Sequence, residues 1–143
     1  MSATKIVKID PLNPQQEYIA EAAKILSRGG LVIMPTETVY GIAANMLNKD
    51  TINRVYKIKK RPKDKMFSLH IDEKWKVEEF AQEIPILAYK LMDKLWPGPL
   101  TLILKSKNQN SIGLRMPDNE IALRIIRQAN VPVVCPSANI SGK

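Results

Sequence analysis

Apolar and polar positions along the chain switch repeatedly between a period of two and a period near 3.6. Ile6 to Ile9 predicts a short strand. Asn13-Pro14 then reads as an N-cap with proline in the first turn. Ile19, Ala22, Ala23 and Leu26 recur at helical spacing until Gly29-Gly30 closes the segment. Leu31 to Met34 is a continuous apolar run, as expected of a strand covered on both faces. A loop, PTETVYG at 35–41, follows it.

The second helix is expected to begin at the cap Asp50, to bury Ile52, Val55 and Tyr56, and to stop before Pro62. Met66 to Ile71 predicts a strand, with Met66, Ser68 and His70 on one face and Phe67, Leu69 and Ile71 on the other. Helical patterns at Lys74–Gln82 and Pro85–Leu95 end in WPGP. Leu100–Leu104 and Ile112–Arg115 read as strands and Asn119–Gln128 as a helix. Val131–Cys135 is a last apolar strand, running into PSANISGK. Strands alternate with helices and no internal repeat interrupts them. The expectation is one α/β domain over residues 1–143, with a twisted, mixed or parallel sheet flanked by helices. The chain stops at what reads as a working loop, so further C-terminal structure is expected in the natural protein.

A length of 143 residues, 45% hydrophobic and 25% charged, suits one soluble core. No apolar run approaches the roughly 18 residues that a membrane span needs. The single cysteine, Cys135, and the absence of an apolar segment behind Met1 point to the cytoplasm. One cysteine and one histidine cannot supply the three or four soft ligands of a zinc site. Neither a Walker loop nor a Rossmann fingerprint is present. A Ser-His-Asp triad has its residue types, but no serine sits in a nucleophile elbow.

The net charge is +8, and its distribution is uneven. Arg54, Lys57, Lys59, Lys60, Arg61, Lys63 and Lys65 face Asp64 alone, so this window carries +6 of the total. A run of this kind is either a solvated helix face or a local anion site. The cations continue past Pro62 into a loop, which favours the site. His70 is either a satisfied structural histidine or pocket lining. PTETVYG is either a plain turn or a ligand loop, with Thr36 and Thr38 just beyond a buried strand, where open α/β sheets bind ligands. PSANISG repeats that arrangement with Ser137, Asn139 and Ser141. Arg115 is a surface arginine or a carboxylate fork. Cys135 is most simply a small buried hydrophobe.

Five segments, PTETVYGIAAN, KKRPKDKMFSLHI, WPGPLTLIL, IGLRMP and PSANISG, occur in the order found in the YrdC family, and the chain resembles that family from about residue 15 onward. Its members are L-threonylcarbamoyladenylate synthases of tRNA modification. The family's lysine-x-arginine pair falls on Lys59 and Arg61, and its serine-x-asparagine pair on Ser137 and Asn139. The chain departs from the usual pattern at Met66-Phe67 and at Lys65.

The resemblance implies a nucleotidyltransferase. Threonine and bicarbonate would form a carbamate that attacks the α-phosphorus of ATP, releasing pyrophosphate, and the product would serve adenosine 37 of tRNA. Lys59 and Arg61 would be catalytic. With Lys65, Asn139 and Ser141 they would bind ATP, and Mg²⁺ would ride on the phosphates. Thr36, Thr38, His70, Arg115 and Ser137 would form the threonine pocket. The partners implied are small molecules and the downstream threonylcarbamoyl-transferase machinery, with tRNA or double-stranded RNA contact through the basic surface. The alternatives are an RNA-binding module and a carbamoyl-adenylate-forming domain of the hydrogenase-maturation type.

Overall fold

The computed structural model describes residues 4–108 and 110–141. Helix α1 is Gln16–Ser27, α2 Lys49–Lys59, α3 Val77–Phe80, α4 Ile86–Leu95 and α5 Glu120–Ala129. The strands are β1 Val32–Met34, β2 Gly41–Asn45, β3 Leu69–His70, β4 Leu102–Lys105, β5 Ser111–Arg115 and β6 Val133–Val134. They form a six-stranded sheet in the order β1-β2-β6-β3-β5-β4. Among the described residues the β3–β5 pair is parallel and every other strand pairing is antiparallel. The sheet is therefore mixed, as expected. Among the described residues no helix is long and apolar enough to cross a membrane.

Several boundaries differ from the sequence expectations. Residues 6–9 form no strand, although Ile9 packs against the core. The α2 cap is Asn48, whose side chain accepts from Thr51 N at 3.0 Å, rather than Asp50. The expected strand 66–71 contracts to two residues, since Tyr56 and Arg61 hold the approach to it as a loop. Strand β2 escaped the reading altogether. Its small Ala43 and Ala44 give no apolar run, yet all five of its residues are buried.

Register assigns the faces. Val133 lies opposite both Asn45 and His70, and His70 lies opposite Arg115, so these side chains share one face. That face is covered by α1 and α5, whose Ile19, Leu26, Ile121 and Ile125 pack with Val133 and Cys135. α5 is strongly amphipathic and opens at Asn119, which accepts from Ala122 N. It closes at Asn130 in the left-handed region, φ 53°. On the other face Ala44 and Val134 pack with Val55 of α2, and Leu69 and Leu114 pack with α3 and α4.

Gly41 joins the parts that matter for function. Its bridge to Ser137, the bond from Ile42 N to Pro136 O (2.7 Å) and the bond from Ala138 N to Tyr40 O (2.8 Å) sew the 35–40 loop to the 136–141 loop. A Cβ at Gly41 would lie 2.3 Å from Cys135 Sγ, so only glycine permits this approach.

Candidate active site

The strand directions gather three loops. β2 runs antiparallel to both β1 and β6, so the loops after β1 and after β6 leave the sheet at the same end. β3 is antiparallel to β6, so the basic segment enters at that end too. These are the 35–40, 136–141 and 60–68 segments that the sequence singles out.

Lys59 is the first surprise. It lies on the buried stripe of α2 with Thr51 and Val55 and is only 2% exposed. Its ammonium donates to Ser137 O at 2.7 Å, Asn139 O at 2.8 Å and Asn139 Oδ1 at 3.1 Å. Ser141 N in turn donates to Lys59 O at 2.8 Å. The three ammonium protons are thus committed to the 136–141 loop. Burial and the nearby Arg61 both lower the Lys59 pKa from its ordinary value. In this arrangement Lys59 shapes the loop rather than projecting a free charge.

Arg61 braces the neighbouring loop in the same manner. Its Nε donates to Lys65 O at 2.9 Å and its Nη2 to Met66 O at 2.8 Å. Its guanidinium lies 5.0 Å from the Phe67 ring centre, and Phe67 stacks on Tyr56 at 4.3 Å. The Tyr56 hydroxyl also donates to Lys65 O, at 2.9 Å. Lys65 itself is exposed. The change from the usual residues to Met66-Phe67 therefore supplies the aromatic surface on which Arg61 rests.

The 35–40 loop is self-braced. Thr36 Oγ1 donates to Val39 O at 2.6 Å and accepts from the backbone N–H groups of Thr38 and Val39. Its hydroxyl makes the turn, while Thr38 Oγ1 sits 3.0 Å from it and 3.4 Å from Arg115 Nη2. Glu37, which the sequence reading passed over, pairs with Arg115 Nη2 and accepts from Asp118 N at 2.6 Å. A glutamate between two threonines looks solvated in sequence. The loop nevertheless turns it onto β5, and its side chain is 19% exposed.

In the 136–141 loop, Ser137 Oγ donates to Asn139 Oδ1 at 2.7 Å, and Asn139 N donates to Ser137 O at 2.9 Å. His70 is buried beside Arg115 and its Nδ1 lies 3.4 Å from Ser68 O. Burial first, then the Arg115 charge, lowers its pKa to about 4, so the imidazole is neutral at pH 7.

Among the described residues, three buried side-chain polar atoms have no partner: His70 Nε2, Arg115 Nε and Ser141 Oγ. All three belong to residues that the sequence nominated for the site. A buried polar group left unpaired costs about 1–3 kcal/mol. Two of the three residues, His70 and Arg115, are register partners on one face of the sheet. The described residues contain no cluster of three or more His, Cys, Asp or Glu that could hold a metal ion.

The chain resembles known proteins closely. A Bacillus subtilis protein named threonylcarbamoyl-AMP synthase is 39% identical over 144 residues, covering 94% of this chain and 42% of that relative. The structure of Pyrococcus abyssi Sua5 complexed with L-threonine superposes with a TM-score of 0.86 at 39% identity, over 92% of this chain and 41% of that one. Escherichia coli YciO superposes with a TM-score of 0.85 at 28% identity, over 94% of this chain and 70% of that one. The chain thus spans about two fifths of the first two relatives' length. The family model for Sua5, YciO and YrdC, described as "Telomere recombination", matches residues 24–143. With that match added to the fold and the gathered loops, the chain belongs to the Sua5/YciO/YrdC family.

Proposed function

We propose that residues 1–143 form a catalytic domain that makes threonylcarbamoyl-AMP and pyrophosphate from L-threonine, bicarbonate and ATP. The observation that carries this reading is the set of unpaired buried atoms on His70, Arg115 and Ser141. A cation beside a neutral imidazole suits a small ligand with a carboxylate and hydrogen-bonding groups, and the Ser141 hydroxyl suits a phosphate oxygen. The names of the relatives support the same substrates.

The chemistry asks for positioning more than for a side-chain nucleophile. The threonine nitrogen takes up carbon dioxide equivalents from bicarbonate as a carbamate, with loss of water. A carbamate oxygen then bonds to the α-phosphorus of ATP while the bond to the pyrophosphate oxygen breaks. Arg115, His70, Thr38 and Ser137 would hold the amino acid, and Thr36 would hold the shape of its loop. Arg61, Lys65, Asn139 and Ser141 would face the triphosphate, with Lys59 fixing the loop that carries two of them. Mg²⁺ would ride on the triphosphate oxygens, where it would neutralise phosphate charge.

The test is incubation with ATP, Mg²⁺, L-threonine and bicarbonate, following pyrophosphate and the adenylate product. Release that requires both threonine and bicarbonate is expected, with valine nearly inert because a site that bonds a hydroxyl rejects an analogue lacking it. Pyrophosphate release indifferent to the amino acid would sink the reading.

A second contact is favoured by the outer side of α2. Arg54, Lys57, Lys60 and Lys63 line an open groove of about 560 Å³ beside Tyr56. Such a surface suits the phosphate backbone of tRNA. Binding there would weaken steeply between low and physiological salt.

A further inference from the structure

The ion pair between Glu37 and Arg115 does more than tie two loops together. Glu37 reaches across from the loop after β1 and divides its carboxylate, one oxygen on Arg115 Nη2 and the other on Asp118 N. Each carboxylate oxygen accepts more than one hydrogen bond, so Glu37 keeps free capacity. Arg115 keeps its own, because its Nε is buried without a partner. Thr38 Oγ1 stands 3.4 Å from the same guanidinium. One small region therefore presents a fixed cation, a fixed anion and a hydroxyl. His70 beside them is neutral, and the Lys59 ammonium is turned to another loop, so the Arg115 cation and the Glu37 anion are the paired charges of this region.

A site for a simple carboxylate has no use for an anion beside its arginine. Glu37 would repel the ligand across only a few ångströms of partly buried space, where like charges cost several times what they cost in water. A zwitterion reverses the sign of that term. Its carboxylate meets Arg115 while its ammonium meets Glu37, and neither charge on the protein opposes the ligand.

Resting on the proposed use of threonine, we infer that Glu37 is the receptor for the α-ammonium group of the incoming amino acid. Glu37 then selects amino acids over hydroxy acids that share the carboxylate and side chain. It also keeps the reacting nitrogen beside a carboxylate until the ammonium gives one proton to bicarbonate, which splits into carbon dioxide and water. The resulting amine takes up that carbon dioxide and releases a second proton to solvent. The carbamate so formed is an anion, and the same charge then disfavours it at Glu37.

Calorimetric titration with two probes tests the inference. L-Threonine carries all three groups, and 3-hydroxybutanoate lacks only the ammonium. The wild-type chain is expected to bind threonine at least tenfold more tightly. Glu37→Gln, which preserves size and one acceptor oxygen, should weaken threonine by tenfold or more while leaving 3-hydroxybutanoate unchanged or tighter. Glu37→Asp keeps the charge and should retain the preference for the amine. Unfolding temperatures of both variants within a few degrees of wild type show that the loop is intact. Equal weakening of both probes in Glu37→Gln would make the residue a structural brace and overturn the inference. Equal binding of the two probes by the wild type would overturn it as well, while leaving the synthesis of the adenylate standing. If the wild type bound neither, the functional reading would fall with it.

Discussion

Two loops of similar length and composition follow two apolar strands at the same end of the sheet, yet they are held in opposite ways. The 35–40 loop is shaped by its own side chains, with Thr36 making four polar contacts within the loop. The 136–141 loop is shaped from outside, by a lysine 78 positions earlier in the chain from Ser137. In the first, the turn at Thr36 is local in sequence, and the loop meets the rest of the fold through Glu37 on Arg115 and Asp118 and through the seam at Gly41. The second exists in its observed form only once α2 has docked. A site that spans both therefore depends on the packing of α2 for its second half.

The most damaging way to break that contrast is Lys59→Met. Methionine fills the channel but leaves the carbonyls of Ser137 and Asn139 without their cation. Hydrogen bonds to a charged group are worth about 1.5–3 kcal/mol each, and they are not additive, so a total loss of about 3–4 kcal/mol is expected. Chemical denaturation measures the loss. Amide exchange should rise at 137–141 and stay unchanged at 36–39; a uniform rise would mean that both loops share one support.

A milder challenge comes from pH, through the histidine beside the first loop. The folded pKa of His70 is about 4, below the unfolded value near 6.5. Between these values the unfolded chain binds a proton that the folded chain refuses. Stability contributed by neutral His70 is therefore complete above pH 6.5 and falls as the pH drops toward 4, by at most about 1.4 kcal/mol per pH unit. Comparing the pH profile of His70→Gln with that of the wild type isolates the effect from the carboxylates. Parallel profiles would show that His70 titrates normally.

The smallest expected effect belongs to Thr36→Val. It removes one hydroxyl whose bonds lie within the 35–40 turn and should cost about 1 kcal/mol. Exchange should quicken at Thr38 and Val39 alone, with the second loop untouched. A response at Ala138 would show that the seam at Gly41 transmits the change.

The same contrast explains what could be read from the sequence. Thr36, Thr38, Ser137 and Asn139 were legible because each follows a visible apolar strand, where open sheets place their ligands. The helix α5 was legible because Ile121, Ile125, Ile126 and Ala129 repeat at helical spacing. Lys59 was found for its charge, but its burial and its bonds to the 136–141 loop were not foreseen, although the signal was present: Thr51, Val55 and Lys59 lie at i, i+4 and i+8, the buried stripe of α2. Strand β2 was hidden because Gly41, Ala43 and Ala44 are small, and smallness there serves close packing rather than a turn. Glu37 was hidden because its importance lies in a contact with a residue 78 positions away.

Cys135 sits under the glycine that sews the two loops together, and burial pushes its thiol up to about 12. Thiolate, the reactive form, is then almost absent from the closed molecule at neutral pH. The chain consequently carries its own clock. The rate at which an alkylating reagent consumes this single sulfur counts the moments when the seam parts, without any engineered label or change of residue.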